Sequence, residues 1–157
     1  MEDHPFRRAW ETRDLDAWMG ALAEDVVLRS PVITAPFTGK VAARELYGVL
    51  FDVFGRVEIT HEFTGSVDDA FFWRGEIGGR AIEGTDLMRH DADGRIAEIT
   101  VYIRPLVGIG TFAGASGPPL ARRRGPVRAV ILRVLTAPLR AMLAAVDVLA
   151  PRLAQRR

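Results

Sequence analysis

The chain contains no cysteine. Disulfides, thiolate nucleophiles and cysteine-ligated metals are therefore excluded. Lysine is almost absent too, with Lys40 the only one. Histidine occurs three times, as His4, His61 and His90, and these positions carry no metal-ligand spacing. Residues 1–18 hold no apolar run, so no secretory signal is expected and a cytoplasmic location is the default. There is no internal repeat. Gly108, Gly110 and Gly114 mimic a dinucleotide fingerprint, but no βαβ unit surrounds them and no acid follows about twenty residues on. Asp91-Ala92-Asp93-Gly94 opens like a calcium loop but lacks the later ligands, so it reads as a turn. Neither a cofactor nor a metal is expected.

What is present is a chain of 157 residues, nearly half of them apolar, enough for one domain with a core. Charge is unevenly spread. From Ala121 onward nine arginines face a single acid, Asp147, a balance of +8. Since the whole chain carries +1, the first 120 residues carry −7. An acidic body and a basic tail meet different partners.

Periodicity orders the body. Phe6 and Trp10, then Leu15, Trp18, Met19 and Leu22, fall at helical spacing, with Asp14 placed to cap a second helix. Val26 to Arg29 reads as a strand closed by Ser30-Pro31. A third helix opens at Thr38-Gly39-Lys40, with Ala42, Leu46, Val49, Leu50 and Val53 as its buried stripe and Gly55 as its stop. Residues 57–64, 70–77, 80–89 and 95–104 read as four antiparallel strands, with turns at Gly78-Gly79 and Asp91–Gly94. Two helices, a strand, a helix and a meander predict an α+β domain with helices on one face of the sheet. Residues 107–125 are rich in Gly and Pro and read as a linker; 126–157 reads as a basic amphipathic helix interrupted at Pro138 and Pro151.

The order of motifs resembles a known family. Asp14-Leu15-Asp16-Ala17 and Leu22-Ala23-Glu24-Asp25-Val26-Val27 look like the opening of SnoaL-like proteins of the nuclear transport factor 2-like superfamily. Phe37-Thr38-Gly39-Lys40 resembles the start of their third helix, and Asp86-Leu87-Met88 with Asp93-Gly94-Arg95-Ile96-Ala97-Glu98 resembles their late hairpin. The resemblance spans residues 5–106, so the SnoaL-like domain is placed at 1–106. It implies a cone-shaped apolar pocket that takes a small hydrophobic molecule, in a family that includes steroid isomerases, polyketide cyclases, epoxide hydrolases and pure binders.

Strand alternation supplies the candidate pocket wall. Val57, Ile59, His61 and Phe63 share a side, as do Phe71, Trp73, Gly75 and Ile77, and Ile99, Val101 and Ile103. Residues 80–89 are ambiguous by pattern; the resemblance turns Gly84, Asp86 and Met88 inward. Asp86 is the candidate general base and His61 the candidate proton shuttle. Trp18, Ile59, Phe63, Phe71, Trp73, Met88 and Val101 are the candidate ligand-binding residues. Tyr47 reads as helix packing, and Tyr102 faces away from the pocket. The pattern also departs from its relatives. Ser30 stands where isomerase-like members have an aspartate. Gly84 and Val101 stand where epoxide-hydrolase-like members have an arginine and a second acid.

Three functions follow as expectations: an enzyme using Asp86, a non-catalytic binder, and a module recruited by its tail to an anionic membrane or a partner. Phe72 and Tyr102 on the outer sheet face lead us to expect a homodimer. The tail's wide apolar face suits a bilayer surface, peripheral at the inner membrane face, better than nucleic acid.

Overall fold

The computed structural model describes residues 4–154. Phe6, Ala9 and Trp10 form the inner stripe of α1 (Pro5–Thr12), as their spacing requires. Arg13 ends that helix in the left-handed region (φ 54°). Its guanidinium donates to the carbonyls of Phe51, Phe54 and Gly55, tying α1 to the far side of the core. Asp14 caps α2 (Leu15–Ala21), accepting from the Ala17 N–H at 2.9 Å.

Strand β1 (Leu22–Arg29) is followed by the short β2 (Phe37–Thr38), α3 (Gly39–Val53), β3 (Phe54–Thr64), β4 (Asp68–Ile77), β5 (Arg80–His90) and β6 (Ile96–Arg104). One six-stranded sheet results, in the order β2-β1-β6-β5-β4-β3. Only the β1–β6 pair is parallel. Both Gly78 and Gly79 take positive φ, the conformation a two-residue hairpin needs. The Asp91 side chain accepts from the N–H groups of Asp93 and Arg95, so this segment is a side-chain-closed turn.

The sheet and helices share one apolar core, which includes Phe6, Trp18, Leu28, Tyr47, Phe71, Trp73, Met88 and Ile99. In α3 the buried stripe runs through Ala43 and Tyr47, with Ala42 only half-buried. The ambiguity in β5 resolves with Ile82, Gly84, Asp86 and Met88 inward and Leu87 outward.

Residues 107–125, expected as a linker, are mostly helix: α4 spans Leu106–Arg122 and packs into the domain. The glycines that suggested flexibility are sites of close approach instead. A Cβ on Gly108 would lie 2.8 Å from Ile82, and one on Gly110 would lie 2.8 Å from Leu143. One on Gly114 would lie 2.5 Å from the Arg140 stem. Pro118 and Pro119 sit within this helix, Pro118 buried. The tail is one helix, α5 (Pro126–Ala154), which continues through Pro138 and Pro151 rather than breaking there.

Two glycines test this packing in opposite directions. Gly110→Leu drives a side chain into Leu143 and is expected to lower stability by about 1–3 kcal/mol. Gly20→Ala, in α2 with nothing within 4 Å of the new methyl, is expected to raise it by about 0.4–1 kcal/mol. Thermal melts of both variants check the pair.

Candidate functional site

Asp86 is at the centre of the concave face. It lies opposite Phe71 on β4 and Val101 on β6, and is 4% exposed. The indole Nε1–H of Trp73 donates to its Oδ1 at 2.8 Å. Burial pushes its pKa up from the ordinary carboxylate value to about 7, against the pull of that hydrogen bond. The indole reaches Asp86 only because its cross-strand partner is glycine. A Cβ at Gly84 would fall 2.1 Å from the Trp73 ring. Gly84 brings no side chain of its own, and the indole fills the space.

The cavity at Asp86 is small, about 40 Å³. Tyr47, Leu46, Leu50, Trp73, Val101 and Phe112 are among its walls. That volume suits roughly two or three waters. Tyr47 packs edge-on to Trp18, and burial, with the Asp86 carboxylate, holds its phenol well above its usual pKa. The Trp18 indole N–H is buried with no hydrogen-bond partner among the described residues.

Ser30, Leu46 and Phe112 also line a second, larger space of about 440 Å³ outside the first, between α3, the 30–37 loop, α4 and α5. Phe112 of α4 therefore stands between an outer groove and the inner carboxyl. The Gly and Pro content of 107–125 predicts a linker and so hides Phe112 as a wall residue.

The strand β3 corrects the expected wall. Ile59 pairs with Trp73, but His61 pairs with Phe72, so a bulge shifts the alternation by one residue. His61 and Phe63 therefore point to the outer face. His61 is exposed and lies against Phe72, and Phe63 is 61% exposed. Neither reaches Asp86. Glu62 turns inward in their place and is held by Arg7 at 2.7 Å. Of the other candidate ligand-binding residues, Trp73 and Val101 line the inner cavity. Trp18, Phe71 and Met88 are sealed in the core. Ile59 lines a separate, more polar cleft beside α1 with Arg7, Arg13 and Arg56.

Two histidines that are far apart in sequence do converge. Asp69, buried, takes His4 Nε2 at 3.2 Å and His90 Nε2 at 2.7 Å on the same oxygen. The ligand-type atoms of all three lie within 4.8 Å of one another. His4 Nδ1 accepts the Phe6 N–H, which leaves its Nε2 carrying the proton. That tautomer offers no lone pair to a metal, so the trio acts as a clip joining the start of α1 to β4 and β5. Burial lowers the His4 pKa, with Asp69 opposing.

Helices on the concave face of a bulged sheet, enclosing a buried acid, define the nuclear transport factor 2-like class of fold. The family model described as the SnoaL-like domain matches residues 5–99. The chain belongs to the SnoaL-like domain family. Among solved structures, a steroid delta-isomerase from Pseudomonas aeruginosa shares 26% identity, covering 75% of this chain and 85% of that one, at a TM-score of 0.65. An uncharacterized protein from Silicibacter pomeroyi with a cystatin-like fold gives 23% identity, coverages of 82% and 92%, and a TM-score of 0.69. A Mycobacterium tuberculosis protein in complex with estradiol-17β-hemisuccinate gives 21%, 63% and 87%, and 0.52. No curated protein matches the sequence.

Asp86 should make stability depend on pH. Its folded pKa is raised, so the folded state holds a proton that the unfolded state releases. This contribution is present below about pH 4 and is lost as pH rises to about 7. The lowered pKa of His4 has the opposite sign and acts below pH 6.5. Asp86→Asn keeps an acceptor for Trp73 and removes the acid. The variant should melt higher than wild type at pH 8, by an amount corresponding to at most about 4 kcal/mol, with the gap closing by pH 4. Melts of both proteins across pH 4–8 check the sign.

Proposed function

We propose that this domain binds a small apolar molecule and transfers a proton on it, with Asp86 as the base. The supporting observation is a carboxyl with a pKa of about 7 on the wall of an otherwise largely apolar cavity. Near neutral pH such a group is populated both as the base that takes a proton from carbon and as the acid that returns it. The Tyr47 phenol on the same wall stays protonated and can donate to an oxyanion developing on a carbonyl oxygen. Taking a proton alpha to a carbonyl and returning it elsewhere on the enolate gives an isomerisation. The steroid isomerase likeness supports that reaction class. The outward His61 plays no part in this reading, and Ser30, Gly84 and Val101 supply no acid or base to it. A β,γ-unsaturated ketosteroid tests it through the absorbance of the conjugated product. Wild type should isomerise it and Asp86→Asn should lose at least about a hundredfold in kcat, while still binding. If the two proteins turn over equally, the base is elsewhere. If wild type binds without turnover, the domain is a binding module.

A second reading concerns two uncovered apolar surfaces. On the outer sheet face Phe63, Phe72, Leu87 and Tyr102 are all 40% exposed or more and suit a second copy of the chain. On α5 much of the apolar surface is left uncovered. Val127, Ile131, Val134, Leu135, Met142 and Leu149 are half exposed or more. Meanwhile Arg140 packs over Gly114, Arg133 lies beside Pro118 and Pro119, and Asp147 faces Arg80 at 4.0 Å. The most apolar 18-residue stretch of α5 has a mean hydropathy of 1.8 and is 11% buried. A helix held along one side by α4, with arginines at its start and end, suits docking flat on an anionic bilayer. The protein would then be cytoplasmic and peripheral at the inner membrane face. Flotation with anionic vesicles and light scattering separate the surfaces. Phe72→Glu should give a monomer that still floats. Leu135→Glu with Met142→Glu should give a dimer that does not. Wild type that stays at the bottom of the gradient removes the membrane reading, and monomeric wild type removes the dimer.

A further inference from the structure

The groove outside Phe112 has the size of a ligand site, about 440 Å³, whereas the cavity at Asp86 does not. Its walls are largely apolar: Val32 and Ile33 from the loop after β1, Leu46 from α3, Leu120 from α4, and Ile131 and Leu132 from α5. Arg124 and Arg128, from the α4–α5 junction and the first turn of α5, also line it. Among the described residues, neither guanidinium has a hydrogen-bond or ion-pair partner. Elsewhere on this chain most arginines of the body are paired with a carboxylate, as Arg7 is with Glu62 and Arg29 with Glu98. One acid, Glu45, lines the groove, so cations outnumber it two to one.

We infer that this groove binds an anionic amphiphile, its acid group at Arg124 and Arg128 and its apolar end against Phe112. Unpaired arginines at the rim of an apolar groove match a carboxylate, sulfate or phosphate head carried on an apolar body. The inference rests on the proposal that a ligand reaches Asp86, and it names that ligand's class. Because Ser30, Leu46 and Phe112 face both spaces, the inner end of such a molecule arrives at the wall shared with the Asp86 cavity. The site lies largely on α4 and α5, beyond the 5–99 segment that the family model matches.

Calorimetry with three ten-carbon probes tests it: decanoate, decanol and decyltrimethylammonium, each below its micellar concentration. Decanoate should bind wild type at least tenfold more tightly than the other two. Arg124→Gln with Arg128→Gln, both at exposed positions, should abolish that preference while leaving decanol binding unchanged. Ala113→Trp should fill the groove and weaken all three probes. Thermal melts verify its fold, and Leu120→Trp provides the same block from a half-buried position. Equal binding of the three probes, or a decanoate preference that survives loss of both arginines, overturns the inference. Asp86→Asn should leave decanoate affinity unaltered. Failed isomerisation with an intact head-group preference therefore counts against the base alone. A lost preference with intact isomerisation counts against the groove alone.

Discussion

The hydrogen bond from Trp73 to Asp86 is the interaction on which the site depends. A carboxyl 4% exposed in an apolar cone is costly to ionise, and one unable to ionise at all would be inert. A single indole donor moderates burial enough to leave the group titrating near neutrality. That donor is in place because Gly84 leaves room for the ring. Three residues on two adjacent strands, 73, 84 and 86, thus form one unit. Changing any of them alters the proton affinity of the other end.

Beside this unit, α4 supplies part of the cavity wall. Phe112 belongs to the core and also to the wall between the two spaces. A close contact of Gly108 with Ile82 holds α4 to the sheet, and close contacts of Gly110 with Leu143 and Gly114 with Arg140 hold α5 to α4. Much of the outer surface of α5 is apolar, interspersed with exposed arginines. This arrangement is costly in water and favours a covered state. The same helix pair therefore links the groove, the inner cavity and the exposed face of α5.

Much of the fold was legible because periodicity and turn chemistry are local. The α1 stripe, the Asp14 cap and the Gly78-Gly79 turn all follow from neighbours in sequence. The inward set of β5, Asp86 included, was ambiguous by pattern and followed from the family resemblance alone. His61 and Phe63 were not, since one inserted residue at the bulge reverses every side chain beyond it, and no residue type marks that point. The glycines of α4 carried a signal that reads two ways. The same composition serves a flexible linker and a tightly packed helix, and only the partner surfaces of Ile82, Leu143 and Arg140 decide between them. The meeting of His4 and His90 at Asp69 depends on tertiary contacts that no spacing encodes.

Asp86 is a buried carboxyl poised near neutral pH by Trp73. Carbon-detected NMR of the Asp86 side-chain carboxyl, followed through a pH titration, measures this directly. The midpoint is expected at about pH 7 in the wild-type protein, and higher in Trp73→Phe, where the indole donor is gone. A wild-type midpoint near pH 4, or one that Trp73→Phe leaves unmoved, would contradict it.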